Sequence, residues 1–118
     1  MLKIYHNSRC NKSQCALRAI QDTIQPFEIV EYLKSPPTEA ELHELLSLLG
    51  KKPLELIRQK EPLFQEDFKG QSRSDDEWIK IMVAYPILIE RPIVVFDGQA
   101  WIARDEQSLT EIEKALGV

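Results

Sequence analysis

Leu2-Lys3-Ile4-Tyr5-His6-Asn7-Ser8-Arg9-Cys10-Asn11-Lys12-Ser13 is the stretch that decides the fold. Its apolar start reads as a β-strand. From Asn11 to about residue 23, Cys15, Leu17, Ala19 and Ile20 recur near helical spacing. Cys10 therefore stands where a strand turns into a helix. The first N–H groups of a helix lack intrahelical partners, and together they favour an anion at that position. A thiol placed there is drawn towards thiolate and becomes a candidate nucleophile. The alternative is a small apolar plug closing a buried strand, since free cysteine is frequently buried and inert. His6, Arg9 and Lys12, all able to carry positive charge close to Cys10 in sequence, favour the reactive reading.

Outward from this stretch, the break at Gln25-Pro26 leads to Phe27-Glu28-Ile29-Val30-Glu31-Tyr32, a second strand by its alternation, so the chain opens strand, helix, strand. Ser35-Pro36-Pro37-Thr38 is a turn, and Thr38 with Glu41 forms a capping box for a helix running to about Leu49 and stopping at Gly50. Pro53 to Gln59 reads as a short helix with proline in its first turn. Ser74 and Glu77 repeat the capping box ahead of Trp78-Ile79-Lys80-Ile81-Met82-Val83. Residues from about 36 to 86 thus form a helical insertion. Strands return at Ile93-Val94-Val95-Phe96 and Ala100-Trp101-Ile102-Ala103, on either side of Asp97-Gly98, a hairpin signal. A last helix spans about Glu106 to Leu116, before Gly117. This order predicts one α/β domain over residues 1–118: a thioredoxin-like, four-stranded mixed sheet with flanking helices and a helical insertion between the second and third strands.

A chain of 118 residues, 43% hydrophobic and 29% charged, suits a soluble domain with one modest core. Its net charge of -4 gives no general electrostatic reason to bind nucleic acid or an anionic membrane surface. The N-terminus lacks the apolar region and cleavage site of a signal peptide, and no run approaches the roughly 18 apolar residues of a membrane span. A cytosolic protein is expected, and nothing in the sequence demands more than a monomer. Cys10 and Cys15 are too few for a disulfide scaffold. His6 and His43 lie far apart, and no His/Cys cluster has zinc spacing, so no metal site is expected.

Arg58 in the insertion, Arg91 immediately before Pro92, and Arg104 after the fourth strand stand out by placement. In a thioredoxin-like sheet the segment entering the third strand lies beside the turn that follows the first, which places Arg91 near Cys10. A guanidinium offers a planar, permanently charged fork that matches a tetrahedral oxyanion and lowers a neighbouring thiol's pKa. Taken singly, each arginine is more often a solvated surface residue. Five helical steps carry Cys15 about 140° around the helix from Cys10. A direct disulfide would require the first turn to unwind, so Cys15 is expected to be a buried core thiol rather than a resolving cysteine. Trp78 and Trp101 read as packing residues and His43 as part of a solvated helix face.

His6-Asn7-Ser8-Arg9-Cys10-Asn11-Lys12-Ser13 resembles the H-N-P-x-C-x-x-S opening of the glutaredoxin-coupled arsenate reductases, with Ser8 in place of the proline. Glu90-Arg91-Pro92-Ile93-Val94-Val95 resembles their R-P-I-V-V strand, and Arg58 and Arg104 match the family's other two arginines in order and context. The resemblance implies the thioredoxin-like fold with a cis peptide bond at Pro92. It also implies an oxidoreductase in which Cys10 attacks arsenate to give an arseno-cysteine adduct while Arg58, Arg91 and Arg104 bind the oxyanion. Glutathione is the implied co-substrate, with no bound cofactor; it releases arsenite and leaves a mixed disulfide on Cys10 that glutaredoxin resolves. His6 would help to keep Cys10 ionised, and Asn7, Ser13 and the helix N-terminus would orient the sulfur or donate to oxygens. Two rivals share the fold: a thiol-disulfide oxidoreductase acting on protein or glutathione disulfides, and a non-enzymatic regulator of the Spx type. The latter usually carries a Cys-x-x-Cys pair, where this chain has Ser13 in the second position.

Overall fold

Leu2, Ile4 and Tyr5 are all buried in β1 (Leu2–His6), as the apolar opening requires. The computed structural model describes residues 2–21, 23 and 26–117. The chain divides into two compact units, Met1–Ser35 with Arg91–Val118, and Pro36–Glu90.

The first unit is built on a sheet. β1 pairs in parallel with β2 (Phe27–Glu31), from Leu2 opposite Phe27 to His6 opposite Glu31. On its other side β1 pairs antiparallel with β3 (Ile93–Phe96), which pairs antiparallel with β4 (Gln99–Ile102). The order β2-β1-β3-β4 is the expected mixed sheet. Asp97 and Gly98 take positive φ angles of 50° and 74° between β3 and β4, the requirement of a tight two-residue hairpin. Helices α1 (Asn11–Ile20) and α6 (Glu106–Leu116) complete the unit. Leu2, Ile4 and Val94 from the sheet, Ala16 and Ile20 from α1, and Ile112 and Leu116 from α6 form its core with Ala103.

α1 ends earlier than its sequence suggests: the Gln21 N–H closes on the Leu17 carbonyl and Thr23 on Ile20. Gln25, half of the expected break, lies outside the described residues. The packing face of α1 is Ser13, Ala16 and Ile20, at spacings of three and four, so its phase turns Cys15 to solvent. The expectation of a buried Cys15 is therefore corrected. Its sulfur lies 3.6 Å from Arg18 Nη2.

The second unit is helical. α2 (Glu39–Leu49) starts in the expected Thr38/Glu41 capping box and stops at Gly50, whose φ is 65°. α3 (Pro53–Leu56) is shorter than the stretch from Pro53 to Gln59. Ile57 forms an antiparallel bridge with Ile89, the Arg58 N–H donates to the Leu88 carbonyl at 2.7 Å, and the Glu90 N–H donates to Leu56 at 2.8 Å. That pairing draws the backbone into extended form before a second helical turn closes. α4 (Pro62–Asp67) was not anticipated, and α5 (Asp75–Ala84) begins in the Ser74/Glu77 capping box. A 3₁₀ turn, Pro86–Leu88, follows. Leu42, Leu46, Phe64, Trp78, Ile79 and Met82 are buried here, with the tilted rings of Phe64 and Trp78 5.9 Å apart between centres. Trp101 in β4 is half-buried, and His43 is exposed with Nε2 3.6 Å from Asp76 Oδ1. Among the described residues no helix is long and apolar enough to cross a membrane.

Candidate active site

The loop from β1 to α1 is tied at both ends before it presents Cys10. The Asn7 carbonyl accepts the Cys10 N–H at 3.0 Å, and the Cys10 carbonyl accepts the Gln14 N–H at 3.0 Å. Asn7 Oδ1 accepts the Arg9 N–H, and Gln14 Nε2 donates to the Ser8 carbonyl. Cys10 itself is extended, at φ -103° and ψ 124°, and occupies the N-cap position of α1 without a side-chain cap. Burial pushes its thiol up. The Ser13 N–H, the Arg91 guanidinium and the Lys12 N–H outweigh that effect and hold the thiol below its usual range.

Ser13 is fully buried and has two jobs. Its N–H faces the sulfur, while its Oγ accepts the Asn7 N–H at 3.0 Å and lies 2.7 Å from His6 Nδ1. His6 is 5% exposed. Burial lowers its pKa below the ordinary histidine value, although the Glu31 carboxylate and Ser13 pull the other way. The ring is therefore neutral at neutral pH, and the cationic help expected from His6 is replaced by a hydrogen bond that orients Ser13. Arg9 and Lys12 project their side chains into solvent.

Cys10 and Tyr32 both act electrostatically on Arg91. Burial disfavours its charge, and these two neighbours more than restore it, so its pKa is raised. Its Nε and Nη1 are buried and have no hydrogen-bond acceptor. The Arg91-Pro92 bond is cis, as expected. Arg104 Nη1 donates to the Arg91 carbonyl at 2.7 Å, and the Ala103 N–H donates to the Pro92 carbonyl at 2.9 Å. The sheet unit thus brings together Cys10, His6, Asn7, Ser13, Arg91, Pro92 and Arg104. Arg58 belongs to the helical unit, where Glu61 holds its Nη1 at 2.7 Å and Glu90 lies 3.9 Å from its Nε.

Tyr32 was missed, because in sequence it reads only as the last residue of an alternating strand. A cleft of about 260 Å³ at the carboxyl ends of β1 and β2 was missed as well. Asn7, Ser8, Arg9, Glu31 and Lys34 help to line it. Such crevices, outside strand carboxyl ends, are where open α/β sheets bind ligands.

Residues 5–112 match the model of the ArsC family. The chain is 44% identical over 111 residues to an arsenate reductase of Rhizobium meliloti, covering 92% of this chain and 79% of that protein. It is 42% identical over 113 residues to the uncharacterized protein YfgD of Escherichia coli, covering 94% and 95%. Among solved structures, an arsenate reductase from Vibrio cholerae superposes with a TM-score of 0.83 at 35% identity, covering 96% of this chain and 95% of that one.

Proposed function

Because the chain belongs to the ArsC family, we propose that it reduces arsenate to arsenite through a Cys10 thiolate. The observation that carries the reading is the pairing of a depressed-pKa thiol with Arg91, whose buried Nε and Nη1 have no acceptor. Unmet buried donors are costly in a protein that binds nothing, and two of them beside a thiolate suit a tetrahedral oxyanion. The names of its relatives in Rhizobium meliloti and Vibrio cholerae support arsenate as that oxyanion.

In the proposed cycle the Cys10 thiolate attacks arsenic and one arsenate oxygen leaves as water, forming a sulfur–arsenic(V) bond. The guanidinium of Arg91 stabilises the negative charge on the remaining oxygens. Glutathione thiolate then supplies the second sulfur. A sulfur–sulfur bond forms between it and Cys10, two electrons pass to arsenic, and arsenite departs. Glutaredoxin removes glutathione from Cys10 by thiol–disulfide exchange. The cleft, with Arg9 and Lys34 among its lining residues, supports access by a small thiol bearing carboxylates. By the same family resemblance the oxyanion ligands extend to Arg104, which Arg104→Lys tests.

The test is arsenite production from arsenate by wild-type and Cys10→Ser protein, with glutathione, glutaredoxin, glutathione reductase and NADPH. Turnover in the wild type and none in the variant is expected. Equal turnover in both removes Cys10 as the nucleophile, and no turnover under working controls contradicts arsenate as the substrate.

A further inference from the structure

The parallel register pairs His6 with Glu31, so the loop carrying Cys10 leaves β1 level with the turn that leaves β2. These two segments line the cleft of about 260 Å³, with Asn7 and Arg9 on one wall and Glu31, Leu33 and Lys34 on the other. Backbone groups hold both walls. The Lys34 and Ser35 N–H groups donate to the Glu31 carbonyl at 2.9 Å, and Asn7 Oδ1 accepts the Arg9 N–H at 3.0 Å. The turn after β2 thus sets an ammonium and a carboxylate side by side, with Lys34 Nζ 3.6 Å from Glu31 Oε2. Both side chains are solvated, at 79% and 42% exposure. An ion pair in that setting contributes little to the fold, so a ligand that brings its own ammonium and carboxylate exchanges partners with it at small cost. Arg9 adds a second cation, and with His6 neutral the cations outnumber the carboxylate. An amino-acid head on a molecule of net negative charge matches this pattern. Cys10 follows Arg9 directly, about 3.8 Å on between Cα atoms, so a ligand headed in the cleft reaches the sulfur within a short arm.

We propose that the cleft is the subsite for the γ-glutamyl head of glutathione, its ammonium on the Glu31 carboxylate and its α-carboxylate on the Lys34 ammonium, while its sulfur bonds to Cys10. The inference rests on glutathione as the thiol of the proposed function and is independent of arsenate as substrate. Leu33, 39% exposed, offers apolar surface to the methylenes of the γ-glutamyl arm. The seat is filled in the mixed disulfide of Cys10 with glutathione.

The experiment times formation of the Cys10 mixed disulfide from glutathione disulfide, read by peptide mass spectrometry separately from exposed Cys15. The Cys10 thiolate attacks one sulfur of the reagent; one sulfur–sulfur bond forms, one breaks, and glutathione leaves as its thiolate. Dithiodipropionate, a disulfide with two carboxylates and no ammonium, is the comparison, and both reagents are run on wild type, Glu31→Gln and Lys34→Gln. Glu31→Gln decides, because the subsite and a general field predict opposite signs. Removing a negative charge speeds every anionic disulfide if only the field acts. The subsite instead predicts that glutathione disulfide slows about two- to fivefold, the range of an exposed ion pair, while dithiodipropionate does not slow. Lys34→Gln should slow glutathione disulfide by a similar factor. A Glu31→Gln protein that reacts with glutathione disulfide as fast as the wild type, or faster, overturns the proposal, as does equal slowing with both reagents. A wild-type Cys10 that takes up dithiodipropionate but not glutathione instead overturns glutathione as the thiol of the cycle, and the subsite with it.

Discussion

The sheet unit leaves the Nε and Nη1 of Arg91 buried without an acceptor, whereas the helical unit holds Arg58 with the carboxylates of Glu61 and Glu90. Both side chains are partly buried, and both arginines are charged at any physiological pH. The difference lies in the company. Two carboxylates satisfy a guanidinium and cancel its field, which serves the fold. A guanidinium that acts on a thiolate keeps unmet donors in reserve, which costs stability and suits a bound anion.

Exchange of each arginine sharpens this contrast. Arg91→Lys should lower arsenate turnover by about 10²–10³, the usual loss when a preorganised donor is removed from a reacting oxyanion. A lysine retains charge but cannot present the fork, and steady-state arsenite production reads the loss. Stability should rank the other way. Arg58→Met strands Glu61 and Glu90 and should cost about 1–3 kcal/mol in urea unfolding. Arg91→Met, which removes two unmet donors, should cost less. Equal losses would dissolve the distinction between the two arginines.

Smaller effects follow from features that are local in each unit. Thr38→Ala or Ser74→Ala should each cost about 1 kcal/mol by opening a capping box of the helical unit, measured by chemical denaturation. In the sheet unit, His6 has a folded pKa lowered from 6.5, so below that value the unfolded chain takes up a proton that the folded protein refuses. Its contribution is complete above pH 6.5 and is lost as pH falls towards the folded value. His6→Asn should therefore flatten the decline of the urea midpoint below pH 6.5. An unchanged slope would show that the ring is charged in the folded protein.

Features governed by neighbouring residues were legible in the sequence. The capping boxes of Thr38 and Ser74, the stop at Gly50 and the Asp97-Gly98 hairpin depend on side chains reaching their own backbone or on a positive φ. What was not legible depends on partners far along the chain. α3 stops early because Ile57 pairs with Ile89, and nothing between Pro53 and Gln59 announces that bridge. Cys15 faces solvent because the phase of α1 is set by Ser13, Ala16 and Ile20 packing inward, a choice that apolar spacing alone did not separate. In the site, Cys10 and Arg91 could be read from strand and helix order. The neutrality of His6 follows from burial, and the place of Tyr32 follows from strand register.

The measurement that tests the central claim most directly is a titration of Cys10 by thiolate ultraviolet absorbance in wild-type and Arg91→Gln protein, each carrying Cys15→Ser. A wild-type midpoint below the ordinary thiol range, moving upward in Arg91→Gln, is the predicted result. A wild-type midpoint at the ordinary thiol value, or one that Arg91→Gln leaves in place, would contradict the account.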